Sequence, residues 1–482
     1  MVYNSFFFLV CFPLVFLLYY LIPAKFKQAR NLFLLAVSYA LYIHWKPAFA
    51  VVLLGVTLIT YWGGWLLDYE EKERLEEEVA RRRRRLVWLF ALLGLLPLLV
   101  FKYYNFLNES ISAGLSALGL QIGLPGLNWA VPIGISFYTF QAVGYMLDVY
   151  HGRVRAEKNF FDYSLFVSFF PSILAGPINK ASLVLPQIKN LRQYFDYGKA
   201  VEGLKMLLWG MFMKVVVADR VGLYVDTVLP NYMNYTGVTC FAASILYSIQ
   251  IYADFAGYSL MAIGVGKTLG FELTENFRRP YFAFSVTDFW HRWHISLSTW
   301  LKDYVYIPLG GSRCSKLRNY WNIFVTFLVS GIWHGANWTF IVWGCMHGVC
   351  QIIEKAFGLQ KFSSTNGWVR VGRILVTFLI VNFAWIFFRM PSLGDAVSVI
   401  GRIFDFSLPM TLYIAPMPTP PLVMIGCFLL FIKDIRDEFF PNKILLMNNK
   451  VAVVRWLTYA FLIVTILLMG VFGSDQFIYA NF

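Results

Sequence analysis

Residues 319–353 read NYWNIFVTFLVSGIWHGANWTFIVWGCMHGVCQII and contain no Asp, Glu, Lys or Arg side chain. A helix needs about 20 apolar residues to cross the hydrocarbon core of a bilayer, so this run is long enough to do so. Its centre nevertheless carries an ionisable imidazole, His334, in the motif WHGANW. Ionisable groups at membrane depth are costly and mark functional sites by default, so this stretch indicates both a fold class and a candidate site.

The composition of the whole chain agrees with a membrane protein. Of the 482 residues, 59% are hydrophobic, 19% are aromatic and only 14% are charged. Further charge-free runs occur at 6–22, 48–67, 110–147, 227–253, 374–388 and 456–474. We therefore predict an all-α integral membrane protein with about 10–12 transmembrane helices plus re-entrant segments. No linker, low-complexity tract or internal repeat divides it, so residues 1–482 are predicted to form one multi-pass domain.

The basic residues indicate topology. The net charge of +14 comes from Lys and Arg in short loops between apolar runs. The positive-inside rule explains this distribution without a nucleic-acid partner. It places the amino terminus outside and the segments 25–30, 68–85, 153–158, 180–199, 267–318 and 355–373 in the cytoplasm. The segment 68–85, DYEEKERLEEEVARRRRR, is predicted to extend a helix into the cytoplasm with its arginines at the lipid headgroups.

The first apolar run and the cysteines give two further expectations. The run continues into LLYYLIPAKFK without a small-residue cleavage site, so we expect the first helix to remain in the mature protein. The cysteines lie mostly in apolar segments, and their spacing matches neither a metal knuckle nor a redox motif. They are Cys11, Cys240, Cys314, Cys345, Cys350 and Cys427.

The segment FFPSILAGPIN, residues 169–179, combines two prolines and a glycine within an apolar stretch. These residues disfavour a continuous helix. Non-helical backbone at membrane depth must be buried in protein or line a wet cavity. We therefore predict a re-entrant element here, in a bundle arranged around a polar cavity.

A second concentration of polar residues is SVTDFWHRWHISLSTWLKDYVYIPLGGSR, residues 285–313. If this segment is helical, His291 and His294 lie one turn apart, with Ser298 a further turn along and Lys302 near the same face. Pro308 and the glycine pair that follows it are predicted to end the helix.

Three interpretations of the histidines remain open from the residues. They could be hydrogen-bonded core or interfacial histidines that pack on tryptophans. They could bind a metal, since His291 and His294 could join His334 and His347, but six histidines in all are few for a membrane di-metal site. They could act in acid–base catalysis, because a buried neutral imidazole can take a proton from an attacking hydroxyl and pass it to a leaving group. No G-x-S-x-G motif is present, which favours direct transfer over a covalent acyl-enzyme.

At these segments the sequence resembles the membrane-bound O-acyltransferase family, specifically the bacterial branch of alginate O-acetyltransferases and D-alanyl transfer proteins of teichoic acid synthesis. The residues that carry the resemblance are FWHRWHISLSTWLKDYVYIPLGGSR (289–313), GIWHGANWTFIVWG (331–344) and RNLFLLAVSYALYIHWKP (30–47), together with 132–150, 168–178 and 251–271. The resemblance covers nearly the whole chain. It implies a ring of helices around a thinned centre, with an outer funnel and a cytoplasmic passage that meet near a histidine.

The resemblance also implies roles for particular residues. His334 matches the family's catalytic base, and His294 matches its second active-site histidine. His291 falls at a position that the family does not fix as histidine, so it is left out of the catalytic set. Residues beside these motifs are candidates for lining or supporting the tunnel: Trp333, Trp338, Asn337, Asp303, Arg292 and Asp288. For the three charged ones, structural pairing is the favoured interpretation.

The resulting functional hypothesis is acyl transfer across a bacterial inner membrane. An acyl group, most plausibly acetyl, would move from a cytoplasmic thioester such as acetyl-coenzyme A to a hydroxyl at the outer face. The resemblance implies a polysaccharide acceptor, a periplasmic acetyltransferase partner, no tightly bound cofactor and no metal. Two alternatives stay open: D-alanyl transfer from a carrier protein to teichoic acid, and a proton-coupled transporter or flippase whose histidines relay protons.

Overall fold

The computed structural model describes residues 3, 5–68, 77–120, 123, 125–190, 194–361, 366–416, 419–441 and 446–472. Throughout these residues the regular elements are helices and none is a strand, which confirms the predicted all-α class. Backbone contacts divide the chain into two compact units. One is built chiefly from Phe6–Gly203 and Ala262–Thr274, and the other from Leu204–Met261 and Glu275–Phe482. The single domain over 1–482 stays a prediction.

The amino-terminal part of the described chain forms helices joined by short connections. They are α1 (Phe6–Leu21), α2 (Lys27–Trp45), α3 (Pro47–Leu67), α4 (Glu77–Leu98), α5 (Tyr104–Ala117), α6 (Ile135–Tyr150), α7 (Phe160–Ser168) and α8 (Ala181–Asn190). A π-helical turn, Leu99–Tyr103, links α4 to α5. Residues 69–76 lie outside the described residues, so the predicted cytoplasmic extension 68–85 is described as a helix only from Glu77.

The remaining described chain continues the helical pattern. Its helices are α9 (Tyr197–Met211), α10 (Asp219–Val228), α11 (Gly237–Thr268), α12 (Val286–Arg292), α13 (Ile295–Leu301), α14 (Lys316–His334), α15 (Trp338–Ala356), α16 (Gly367–Arg389), α17 (Leu393–Ile403), α18 (Thr419–Phe439) and α19 (Ala452–Met469). Two π-helical segments interrupt it, Phe212–Ala218 between α9 and α10 and Lys302–Tyr306 after α13.

Five helical stretches of the described chain are long and apolar enough to cross a membrane. They are α3, the continuous stretch Glu77–Ala117, α11, α16 and α19. The protein is therefore a multi-pass membrane protein. The larger count of about 10–12 spans stays a prediction, because it depends on shorter and broken helices.

Two of the charge-free runs are interrupted. Within 110–147, α5 ends at Ala117 and α6 begins only at Ile135. Within 319–353, α14 ends at His334 and α15 begins at Trp338, so the run forms a helical hairpin. His334, which the sequence places in the middle of a long charge-free run, therefore lies at the end of a helix, beside a turn.

The predicted irregular segment 169–179 is indeed non-helical, and most of its residues are buried. Side chains satisfy its backbone: the Phe170 N–H donates to Ser38 Oγ (3.1 Å), and the Asn179 N–H donates to Gln141 Oε1 (3.0 Å). Gln141 Nε2 in turn donates to the carbonyl oxygen of Phe166 at 2.6 Å. The segment is thus buried in protein, as irregular backbone in an apolar environment must be when no water reaches it. Its entry into the bilayer stays a prediction.

Helices α14 and α15 pack closely because two glycines face each other. A Cβ atom on Gly331 would collide with the carbonyl oxygen of Phe340, and one on Gly344 would collide with the carbonyl oxygen of Phe327. Both obstacles are backbone atoms, which cannot rotate away as a side-chain end can. The close approach fixes the separation of the two helices that carry His334 and His347.

We expect Gly331→Ala to destabilise the protein by about 1–3 kcal/mol, because the added methyl group overpacks this helix contact. The matched control is Gly372→Ala in α16, where a Cβ would meet no atom within 4 Å. This control should be neutral or slightly stabilising, since alanine has the higher helix propensity. Thermal unfolding of both variants in detergent measures the difference. Equal midpoints for the two variants would contradict the close-packing account.

Candidate active site

The two histidines that the sequence singled out lie together in the interior. His294 is 0% exposed and His334 is 1% exposed. Their ring centroids are 6.4 Å apart, with the ring planes inclined by 60°. The ring of Trp333 lies 5.7 Å from that of His294 and 4.9 Å from that of His334, so it packs against both. The two histidines that the motifs singled out, 40 residues apart in sequence, are therefore close together in the structure.

The local conformation at His294 differs from the predicted helix. Segment 285–313 does not continue as one helix, because α12 ends at Arg292 and His294 has φ 45° and ψ 52°. This left-handed conformation costs a non-glycine residue about 1–3 kcal/mol and occurs where the surroundings enforce it. As a result His291 is exposed and His294 is buried, and the two do not share a helical face. The helix-ending role of Pro308 and the glycines is confirmed, since turns follow Tyr306.

An extended segment before α12 holds the backbone in this unusual shape. The Ile295 N–H donates to the carbonyl oxygen of Asn276 at 3.0 Å, and the Arg278 N–H donates to the carbonyl oxygen of Arg292 at 2.9 Å. These two hydrogen bonds lie on either side of His294 and connect the non-helical link between α12 and α13 to residues 276–278. The turn is therefore set by a tertiary contact that the local sequence does not reveal.

Asn276 also determines which nitrogen of His294 carries the proton. Its Oδ1 accepts from the Ser296 N–H (3.2 Å) and Ser296 Oγ (2.9 Å), so this atom is the amide oxygen. The same oxygen lies 3.1 Å from His294 Nδ1. Since an oxygen only accepts, Nδ1 must be the donor, and Nε2 of the neutral ring carries the lone pair. Asn276 Nδ2 donates to Ser259 Oγ at 3.0 Å, which fixes the amide in turn.

His334 occupies the last position of α14 inside an aromatic cage. Besides Trp333, the rings of Trp343 (4.9 Å) and Phe388 (5.2 Å) pack edge-on against it. These side chains exclude bulk solvent and hold the imidazole in an apolar environment.

The residues proposed to support the site have different environments. Trp333 packs between the histidines, whereas Trp338 is 53% exposed. Asn337 caps α15, since its side chain accepts from the Thr339 N–H at 3.0 Å and donates to the Pro391 carbonyl oxygen at 2.8 Å. The described contacts of Asn337 are therefore those of a helix cap and a loop contact.

The charged residues near the first histidine block form ion pairs. Arg292 Nε lies 3.0 Å from Asp288 Oδ1, and Arg292 Nη1 lies 3.0 Å from Glu438 Oε2. Asp303 Oδ1 lies 3.9 Å from Lys302 Nζ. The ion pairs of Asp288 and Arg292 thus agree with the structural pairing favoured from the sequence.

A cavity of about 340 Å³ extends from the surface toward the histidines. Its exposed end is lined by His291 and Lys302, with Lys355 nearby. Its buried end is lined by Trp290 and Ser330. Ser330 lies one helical turn before His334 on α14, and the adjoining wall residue Ile295 follows His294 directly. The cavity is therefore lined by the chain neighbour of His294 and by a residue one turn from His334, although neither imidazole forms part of its wall.

Sequence reasoning missed Asn276, Ser330 and Trp290, and it considered His347 only as a metal ligand. Asn276 lies 18 residues before His294 in a stretch without a motif, so no local signal marks it. Across the described residues no group of three or more His, Cys, Asp or Glu side chains is arranged to hold a metal ion. The metal interpretation therefore has no geometric support in that part of the chain.

Comparisons with known proteins identify the family of the chain. The profile of the MBOAT, membrane-bound O-acyltransferase, family matches residues 153–393, which include both histidines. The chain is 40% identical over 412 residues to the probable alginate O-acetylase AlgI of Pseudomonas syringae pv. tomato, covering 84% of this chain and 76% of the relative.

The names of two other relatives refer to different polymers. The peptidoglycan O-acetyltransferase of Helicobacter pylori is 33% identical over 431 residues, which cover 83% of this chain and 79% of the relative. The teichoic acid D-alanyltransferase of Bacillus subtilis is 27% identical over 307 residues, which cover 61% and 75%. The resemblance inferred from the motifs is confirmed: this chain belongs to the membrane-bound O-acyltransferase family, and it is an acyltransferase.

Proposed function

We propose that this protein transfers an acetyl group from a cytoplasmic thioester to a hydroxyl at the outer face of the bacterial cytoplasmic membrane. The product would be an O-acetylated exported or cell-surface polysaccharide of the alginate type, and a periplasmic acetyltransferase partner would complete the transfer. The donor is acetyl-coenzyme A or another acetyl thioester. The observation that carries the proposal is the buried pair His294 and His334, at the ends of the helices α13 and α14 that line a cavity with a basic mouth.

The hairpin geometry supports a cytoplasmic mouth. Helix α14 begins at Lys316 and α15 ends near Lys355, so the same end of the hairpin carries the basic residues. By the positive-inside rule this end faces the cytoplasm. Lys302 and Lys355 at the mouth suit a donor that bears phosphate groups, as coenzyme A and phosphopantetheine do.

Acyl transfer from a thioester to a hydroxyl needs one base and a thioester carbonyl group held in a fixed orientation. The acceptor hydroxyl oxygen bonds to the acyl carbon of the thioester while the His334 imidazole takes its proton, and the carbonyl π electrons move to the acyl oxygen. When that oxygen re-forms the double bond, the carbon–sulfur bond breaks. The sulfur leaves with the electron pair and takes the proton back from the imidazolium. A thioester is already activated, so proximity and proton transfer supply the main rate gain.

Ser330 is placed to receive the acyl oxygen. Its hydroxyl is buried and has no hydrogen-bond partner within the described chain, although it lines the cavity. Residues four apart on a helix lie about 6 Å from each other, so Ser330 and His334 can flank one bound carbonyl group. A hydroxyl aimed at the developing oxyanion lowers the barrier because it needs no reorganisation during the reaction.

The charges of the cavity favour acetyl over D-alanyl. No Asp or Glu lines it among the residues that the structure describes, whereas two lysines do. A D-alanyl group carries an ammonium ion, which would have to lose its hydration without gaining a carboxylate partner. Acetyl is neutral and has no such cost. The likeness to a teichoic acid D-alanyltransferase keeps D-alanyl transfer as the second candidate.

We expect His334→Ala to reduce transfer about a hundredfold or more, because the variant lacks the proton acceptor. The measurement is the radiolabel moved from acetyl-coenzyme A to ester on added alginate, by purified protein in liposomes supplied with periplasmic extract as the source of the partner. The matched control is His44→Ala, which changes a histidine that stacks on Phe7 and does not line the cavity, and it should retain the native rate. Equal transfer by native and His334→Ala protein would exclude His334 as the base.

The hydrogen bond between Asn276 and His294 can be tested separately. Asn276→Ala removes the acceptor for His294 Nδ1, so we expect transfer to fall about ten- to a hundredfold, as for other residues that orient a reacting group. Ser296→Ala removes one donor to the same oxygen but leaves the bond to His294, and it should lose much less. Similar losses in both variants, at similar thermal stability, would show that the amide acts only in packing.

Removal of the Ser330 hydroxyl should affect kcat and the unfolding midpoint differently. We expect Ser330→Ala to lower kcat about tenfold or more with little change in KM for the donor, while the unfolding midpoint stays equal or rises. The comparison variant is Thr326→Val, since the Thr326 hydroxyl already donates to the Asn322 carbonyl oxygen at 2.6 Å and should contribute less to kcat. A lower unfolding midpoint with unchanged kcat for Ser330→Ala would assign the hydroxyl a structural role.

A further inference from the structure

A third buried histidine takes no part in the proposed transfer. His347 is 1% exposed and lies on α15, thirteen residues after His334. Its Nδ1 accepts a hydrogen bond from Trp290 Nε1 at 3.3 Å. An indole nitrogen only donates, so His347 is the acceptor and its own proton is on Nε2. The bond joins α15 to α12, the helix that leads into His294.

Trp290 is the residue that this bond holds in place. It is 5% exposed and forms part of the buried end of the cavity. The rings of Phe327 (5.1 Å), His347 (5.2 Å) and Trp343 (5.6 Å) surround it, each at a steep angle. A buried indole N–H needs an acceptor, so any rotamer that swung the ring out of the cavity wall would break the bond to His347.

The helices behind Trp290 cannot easily move to make room. A Cβ on Gly348 would lie 3.2 Å from the Cβ of Phe327, and the close approach of Gly331 and Gly344 already sets the α14–α15 separation. Trp343 packs against both His334 (4.9 Å) and His347 (5.0 Å). Displacement of Trp290 would therefore disturb the side chains that hold the catalytic imidazole.

We propose that Trp290, held by His347, is the specificity-determining residue that closes the inner end of the donor cavity and restricts the enzyme to short acyl groups. The inference rests on the proposed function and extends it to donor chain length. An acetyl group ends at its methyl carbon, beside Ser330, and fits in front of the indole. A longer acyl chain has to occupy the space that the indole fills.

The mechanism of discrimination is steric. A hydrophobic pocket distinguishes one methylene by about 10- to 200-fold when its wall is rigid. The hydrogen bond to His347 supplies that rigidity here, because it opposes rotation of the one large ring at the closed end. The acyl carbonyl and the sulfur keep their positions beside Ser330 and His334, so the restriction acts on chain length and leaves the chemistry of acetyl transfer unchanged.

The test is a chain-length profile. Purified native protein and Trp290→Leu in liposomes are supplied with acetyl-, propionyl-, butyryl- and hexanoyl-coenzyme A, and kcat/KM for ester formation on alginate is measured for each. We expect native protein to prefer acetyl, and Trp290→Leu to raise the butyryl-to-acetyl ratio about tenfold or more. The matched control is Trp321→Leu, a 54% exposed tryptophan on the same hairpin, which should leave the ratio unchanged.

A second variant tests the role of the histidine. His347→Phe keeps an aromatic ring in the packing but removes the acceptor, so it should raise the same ratio in the same direction by a smaller factor. This variant also provides the test if Trp290→Leu does not fold. The proposal is overturned if native protein uses butyryl-coenzyme A as well as acetyl-coenzyme A. It is also overturned if the Trp290 and His347 variants fold and transfer acetyl but keep the native dependence of kcat/KM on chain length. The assays include periplasmic extract as the source of the partner, so absence of transfer from every thioester by native protein would instead overturn the acetyl-transfer function itself.

Discussion

Most polar groups buried in an apolar interior are paired within the protein, and this constraint shapes both units. Water is absent from the hydrocarbon core, so an unpaired backbone group costs several kcal/mol there. The irregular segment 169–179 is held by side chains of Ser38 and Gln141. In the other unit, the buried Lys214 ammonium lies 2.8 Å from Asp219 Oδ1 and 2.6 Å from Asp254 Oδ1.

The same constraint arranges the candidate site. Asn276 is buried, and its amide oxygen receives the Ser296 donors as well as His294 Nδ1. One side chain thus stabilises a strained turn and selects the tautomer of the imidazole. The hydrogen bonds that satisfy the backbone are therefore the ones that prepare the chemistry, which explains why a residue in an energetically unfavourable conformation occurs at this position.

Close helix packing adds a geometric limit. Because Gly331 and Gly344 let α14 and α15 approach, His334, Trp343 and His347 form one aromatic layer. Trp290, whose ring packs on those of Trp343 and His347, connects this layer to the cavity that Trp290 and Ser330 line. In the proposed function, this wall beside the proposed base would link catalysis and donor selection, since the same side chains would serve both.

The sequence by itself determined the all-helical membrane class, the irregular segment at 169–179, the family, and the pair His294 and His334. These features depend on composition, apolar run length and short motifs, which are local properties of the chain. It did not determine the break at His294, the hairpin turn after His334, or the contacts of Asn276, Trp290 and Ser330. Those depend on residues far apart in sequence, such as Asn276 with Ser296 and Trp290 with His347, and only the folded chain brings their atoms within hydrogen-bonding distance.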